Sequence, residues 1–255
     1  MYFFLFNLAM LDIGSISVML PKAMAMSLKN ERSITYAGCV AQVFFYIFFA
    51  SLDYAVLTIM AHDRYIAICN PLQYERIMHK EACLQMVAIG LITSLLYATL
   101  HTGGAFASSF CSNVVNQFFC EIPQLIKLSC SGLSVMEAGI LILSCSIGLG
   151  CFVFIITTYV QIFAAVLRNP SLQGQKKAFS TCLPHLTIVT MLVISGILAY
   201  GRPPAGSSDL DIVFAVIYSI IPPMLNPFVY SVRNKEIKIA LKNLLQVVIS
   251  SKNIF

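Results

Sequence analysis

Long apolar segments alternate with short polar stretches along the whole chain. Six such segments stand out, at approximately residues 2–21, 36–62, 83–106, 138–166, 183–200 and 212–232. Each is near the ~20 residues that a helix needs to cross a bilayer. Their apolar residues are continuous rather than alternating, and the segments are far too long for strands. The pattern therefore predicts an all-α membrane protein in which residues 1–255 form one transmembrane domain. A further stretch, 234–249, mixes Ile237, Leu241, Leu244 and Val248 with Lys235, Lys238 and Lys242. That mixture predicts a short helix lying on the inner leaflet, its lysines toward anionic headgroups.

Composition sharpens this reading. The chain is 58% hydrophobic and 11% charged, against about 25% charged in soluble domains. Too little polar surface is present to cover a water-soluble globule. The first apolar segment does not read as a signal peptide: no positive region precedes it, Asp12 sits in its middle, and no small-residue cleavage site follows. Spans alternate sides, so the loops fall into two groups. Of the 16 basic residues, eleven fall on one side, among them Arg64, Arg76, Lys80, Arg168, Lys176, Lys177 and those of the tail. The richer side is expected to be cytoplasmic. No basic run suggests nucleic-acid binding. His62, His79, His101 and His185 are scattered without metal-ligand spacing. No phosphate loop and no Ser-His-Asp arrangement stands out, so the chain does not read as an enzyme.

The nine cysteines agree with this orientation. Cys111, Cys120 and Cys130 lie in the long stretch 107–137, on the outer side, and Cys39 lies at the outer end of the second segment. Four cysteines in an oxidising compartment allow three pairings. Cys69, Cys83, Cys145, Cys151 and Cys182 fall at cytoplasmic or membrane positions and are expected to stay reduced.

Four motifs carry more specific information. The second segment closes on Met60-Ala61-His62-Asp63-Arg64-Tyr65-Ile66-Ala67-Ile68-Cys69-Asn70-Pro71-Leu72. Charges at a helix end can reach the interface, where they cost far less than at mid-membrane. The last segment holds Pro222-Pro223-Met224-Leu225-Asn226-Pro227-Phe228-Val229-Tyr230, followed by Ser231-Val232-Arg233-Asn234-Lys235-Glu236. Three prolines break the helical ladder, and inside a membrane the freed groups need polar neighbours or water. The fifth segment is entered through Lys177-Ala178-Phe179-Ser180-Thr181-Cys182-Leu183-Pro184-His185-Leu186, and the chain starts Met1-Tyr2-Phe3-Phe4-Leu5, with Asn7, Leu11 and Asp12. In this order and spacing the motifs resemble odorant receptors, a family within the rhodopsin-like (class A) G-protein-coupled receptors. Thr158-Tyr159 sits where that family usually has Ser-Tyr.

The resemblance implies a seven-transmembrane-receptor helix bundle. Since the chain starts at what resembles the second helix, the expectation is a bundle with its first helix missing, and retention of such a chain in the endoplasmic reticulum. The resemblance pairs Cys39 with Cys120 and Cys111 with Cys130. It implies a plasma-membrane receptor for small, volatile, mostly apolar ligands, signalling through a stimulatory olfactory-type G protein to cyclic AMP, with membrane lipid around it. By resemblance and helical spacing, Ile47, Ala50, Ser51, Tyr54, Ser144, Ile147, Val193, Ser195 and Tyr200 are expected to line the ligand pocket. Ser51, Ser144 and Tyr200 would orient a polar group. Asp63, Arg64, Tyr65, Tyr159, Asn226, Pro227 and Tyr230 take the switch and G-protein-coupling roles, with Arg64 pairing with Asp63 at rest. Asp12, Asp53 and Asn226 resemble the superfamily's sodium pocket; a proton shared between the two acids fits as well. No other cofactor is expected. One departure is clear. The family carries an aromatic-Tyr-Gly run midway along its sixth helix, and the matching positions here read Leu192-Val193-Ile194. A six-span transporter or channel would fit the broken helices and buried acids too, but it calls for internal repeats, and the sequence shows none. A non-functional receptor fragment is the other alternative.

Overall fold

The computed structural model describes residues 2–29, 34–107, 110–111, 120, 122–130, 135–168, 171–200 and 223–226. In chain order the helices are α1 (Tyr2–Lys29), α2 (Tyr36–Cys69), α3 (Tyr74–Ile77), α4 (Lys80–Ala107), α5 (Ile122–Leu128), α6 (Val135–Leu167) and α7 (Leu172–Tyr200); a 3-10 turn at Pro71–Gln73 joins α2 to α3. Among the described residues five helices are long and apolar enough to cross a membrane. The expected sixth span lies outside the described residues except at 223–226, which are helical, and the tail segment 234–249 lies outside them entirely.

The helices overrun the apolar segments that announce them. α1 continues to Lys29 and α7 begins at Leu172, so Lys176 and Lys177, expected in a loop, stand on the first turns of α7. Hydropathy marks only the lipid-facing stretch, whereas backbone hydrogen bonding continues into water. α2 shows this most clearly. Its 34 residues span roughly 50 Å at 1.5 Å per residue, against about 30 Å of hydrocarbon. Its start is capped by Thr35, whose hydroxyl accepts the Gly38 amide at 3.1 Å, satisfying one of the four orphan donors of a helix N-terminus.

α2 is the axis of the bundle, packed against α1, α4, α6 and α7. Two close approaches set this arrangement. A Cβ on Gly14 of α1 would lie 2.5 Å from the Phe49 ring, so any larger residue there would have to displace that ring. On α4, Gly90, Ser94 and Ala98 are buried, and a Cβ on Gly90 would touch Leu52 and Ala55 of α2 at 3.5 Å. Small residues at a helix contact are the usual device inside a membrane, where burial from water gives no drive and packing must supply it. The larger apolar core fills the cytoplasmic half around Leu57, Met60, Ile155, Ile162, Ile188 and Val189. A smaller cluster at the outer end surrounds Cys39, Val43, Ala105, Cys120, Ile122 and Leu125.

Two helices contain an internal proline, Pro21 in α1 and Pro184 in α7. Each lacks the amide that would bond the carbonyl four residues earlier, and its ring crowds that carbonyl, which loosens the ladder locally. On the outer side, α5 and a single antiparallel bridge between Phe110 and Ser129 give the long loop its shape.

Candidate functional site

At the cytoplasmic end the buried side chains of α2, α6 and α7 form one connected path. The Arg64 Nη1 donates to the Tyr159 hydroxyl at 3.2 Å and to the Thr181 carbonyl. Tyr159 lies 2.9 Å from Nδ1 of His185, and Nε2 of His185 lies 3.0 Å from the Leu57 carbonyl. A carbonyl can only accept, so Nε2 carries the proton and Nδ1 is a bare acceptor. Tyr159 then donates to His185, and its oxygen accepts from Arg64. The Tyr159 and His185 protons each have one place to go, while the buried Arg64 Nε has no partner among the described residues. Arg64, Tyr159 and His185 are all nearly inaccessible, at 4%, 2% and 0% exposure, so each bond forms where an unmade one would be costly.

The Thr181 carbonyl lies three residues before Pro184, next to the Ser180 carbonyl whose helical partner the proline removes. The guanidinium thus reaches both α6 and α7. The Asp63 carboxylate accepts the Tyr74 hydroxyl of α3 at 2.8 Å. Burial, and then the hydrogen bond and charge of Asp63, push Tyr74 up to about 12, so its hydroxyl remains a donor at any physiological pH. Arg64, Asp63 and Tyr74, with Lys177 and Thr181, line a cavity of about 440 Å³ that opens between α2, α3, α6 and α7. Tyr65 is half-buried against the core beside them.

Near the middle of the bundle the amide of Asn226 donates to Oδ1 of Asp12 at 2.8 Å, both residues being buried. Asp12 Oδ2, Asp53 Oδ1 and Asn226 Oδ1 are inaccessible and have no hydrogen-bond partner among the described residues. Three unmatched oxygens on three elements fit either a hard cation, which takes oxygen ligands, or a proton held between carboxylates. Pro227 and Tyr230 lie outside the described residues.

The outer end is held covalently. Cys39 is bonded to Cys120 and Cys111 to Cys130, while Cys69, Cys83, Cys145, Cys151 and Cys182 form no disulfide. One turn below Cys39, the buried Gln42 accepts the Cys120 amide at 3.1 Å and donates to the Val18 carbonyl of α1 at 3.4 Å. Val18 stands three residues before Pro21.

The residues expected to line a ligand pocket are dispersed. Tyr54 donates across to the Gly148 carbonyl of α6 at 3.0 Å. Ser51 and Ser195 return their hydroxyls to their own helices, at the Phe48 and Leu192 carbonyls. Ile47 packs at the edge of the outer cluster, Val193 is half-buried, and Ala50 and Ile147 are exposed. Ser144 faces α4, where it meets His101, and donates to the Ile140 carbonyl at 2.6 Å. The side chain of Tyr200 lies outside the described residues. Sequence reasoning passed over His185, His101, Tyr74 and Gln42. The only sequence signal for His185 was its place one residue after Pro184.

Comparison with known proteins agrees with this geometry. The family described as olfactory receptor matches residues 1–247. Human Olfactory receptor 14C36 is 46% identical over 256 residues, covering 100% of this chain and 82% of its own length. Human Olfactory receptor 14A16 is 45% identical over 253 residues, covering 98% and 82%. The crystal structure of squid rhodopsin superposes with a TM-score of 0.68 at 16% identity, over 97% of this chain and 72% of that one, which shows the same helix-bundle fold. With the family model matching residues 1–247, and the buried Arg64, Tyr159 and Asp12 standing in a helix bundle of the rhodopsin fold, this chain belongs to the olfactory receptor family.

Proposed function

We propose that this chain detects small, mostly apolar odorants on its outer side and couples that event to a heterotrimeric G protein of the stimulatory olfactory type, raising cyclic AMP. The observation that carries the proposal is the cytoplasmic cavity of about 440 Å³ with the Arg64 guanidinium in its wall. A partner segment entering there would meet Arg64, Lys177 and the Tyr74–Asp63 pair. The Arg64 guanidinium rests on a hydroxyl and a backbone carbonyl, acceptors that an incoming carbonyl or C-terminal carboxylate could replace. Odorant binding would act on the same helices from the other end, through Ile47, Ser51, Tyr54, Val193 and Ser195 of α2 and α7. The test is a cyclic AMP reporter in cells expressing the chain with an olfactory-type G protein, challenged with an odorant panel. A response that vanishes in Arg64→Ala while surface staining persists supports the proposal; a response unchanged in that variant refutes it.

The buried acids fit a coupling role between the two ends. Asp12, Asp53 and Asn226 would hold a sodium ion or a shared proton, either of which lowers the cost of placing two carboxylates at mid-membrane. When bound, the ion would supply positive charge. The chain's own part is to present unmatched oxygens and to tie α1 to the helical turn at 223–226 through Asn226. A sodium-dependent response that Asp53→Asn removes favours the ion. A response that varies with pH but not with sodium favours the proton.

A further inference from the structure

Beside the outer disulfides, a small cavity of about 10 Å³ lies where α4, α5 and α6 meet. That is room for about one water-sized group. Its wall is apolar, with Ala105, Ile122, Ile126 and Ile140 among the lining residues, except for one side chain, His101. The cavity also depends on a glycine: a Cβ on Gly104 would lie 2.8 Å from Cδ1 of Ile140.

His101 is buried, and its chemistry is fixed by its neighbours. Its Nε2 meets Ser144 Oγ. Ser144 has one proton, and that proton points at the Ile140 carbonyl, 2.6 Å away. The Tyr97 ring lies against the His101 ring at a centroid distance of 4.5 Å. A serine oxygen donates once and accepts twice. Both contacts are satisfied together only when Ser144 donates to Ile140 and accepts from Nε2–H of His101. Nε2 therefore carries the imidazole proton, and Nδ1 is left with a bare lone pair. No protein donor reaches Nδ1 among the described residues.

We infer that His101, fixed as an acceptor by Ser144 and seated in this notch, is a ligand anchor that selects odorants bearing a hydrogen-bond donor, an alcohol or phenol, over ethers and carbonyl compounds of the same shape. The notch admits a hydroxyl-sized head and nothing larger, and its walls suit the carbon beside that head. A carbonyl or ether oxygen entering the same space would face the Nδ1 lone pair with no proton between them. Discrimination of this kind is strong because the penalised ligand leaves a buried polar group unpaired. The inference deepens the odorant-receptor reading and rests on it.

The test uses the full chain, purified in detergent, with matched medium-chain alcohols and their methyl ethers as probes, and binding read by thermal stabilisation. The alcohols should bind roughly tenfold tighter than the ethers, the scale of one buried hydrogen bond. His101→Phe should abolish that preference while leaving ether binding unchanged. Ser144→Ala should narrow the preference by releasing the tautomer, and Gly104→Ala should weaken the alcohols by filling the notch. If the alcohols and ethers bind equally, or His101→Phe keeps the preference, the notch holds water only and the inference falls while the receptor reading stands. If neither series binds, nor any other odorant class, the receptor reading fails and takes the inference with it. Should His101→Phe not fold, the Ser144→Ala and Gly104→Ala ratios decide the matter.

Discussion

The two ends of α2 solve the same problem with different chemistry. Near the outer end Gln42 donates to the carbonyl three residues before Pro21 of α1; near the cytoplasmic end Arg64 donates to the carbonyl three residues before Pro184 of α7. In both places a proline loosens a neighbouring helix, and a side chain of α2 bonds to a carbonyl beside the break. The surroundings then diverge. Gln42 is neutral, its bond is long, and the region is secured by the Cys39–Cys120 disulfide. Arg64 is charged, and nothing covalent secures its region. At the outer end covalent bonds keep the shape, so a side-chain change there costs stability without opening it. The inner end owes its shape to hydrogen bonds, and hydrogen bonds can be exchanged for others when a partner arrives.

That contrast can be broken most forcefully at the disulfide. Cys39→Ser or Cys120→Ser should abolish surface delivery, measured by staining of intact cells, because a native disulfide is worth about 2–5 kcal/mol. Cys145→Ser and Cys151→Ser should leave delivery near normal. Equal loss at all four positions would mean that the outer end is not covalently governed.

At the inner end, Arg64→Ala should leave surface delivery largely intact but remove the odorant-evoked rise in cyclic AMP. Tyr159→Phe and His185→Phe should each lower the melting temperature, by an amount corresponding to about 1–3 kcal/mol, since each leaves a buried partner unmatched. Both changes break the same path, so the double variant should cost little more than the worse single one. Additive losses in a thermal-shift series would show that Tyr159 and His185 act independently.

The gentler comparison sets Gln42→Leu against Tyr74→Phe. Gln42→Leu strands the buried Cys120 amide and should cost about 1–2 kcal/mol, with both disulfides still formed by thiol labelling. Tyr74→Phe removes one partly solvated bond to Asp63 and should cost about 1 kcal/mol or less. Its effect should appear as a change in basal signalling rather than in stability. A larger loss of stability for Tyr74→Phe than for Gln42→Leu would reverse the ranking of the two ends.

The sequence announced the spans because a membrane helix must be apolar for most of its length, and it announced Arg64, Asp12, Asp53 and Asn226 because polar groups at those depths are rare. It did not reveal which way each helix turns. α6 is apolar nearly all round, so no stripe marks the face toward the bundle. Ser144 could be placed on α6 but not aimed, and it points to His101 rather than to α2. Arg64 was expected on Asp63, its neighbour in the chain. Its acceptor at Thr181 is a backbone carbonyl, and every residue has one of those. His185 read as packing because a lone histidine on an apolar helix carries no pattern; its role needs Leu57 and Tyr159 from two other helices.

The path from Arg64 through Tyr159 and His185 ends at the Leu57 carbonyl, and Leu57 and Arg64 belong to the same helix, two turns apart. The path is therefore a closed circuit, leaving α2 and returning to it by way of α6 and α7. Such a circuit has a mechanical meaning. Drawing away either α6 or α7 opens the circuit, because each carries a member that the other does not. Withdrawing α7 removes the His185 contacts to Tyr159 and Leu57 and the Thr181 contact to Arg64 in one movement. What then remains of the circuit is the single Arg64–Tyr159 bond between α2 and α6, so one helix movement releases most of the latch.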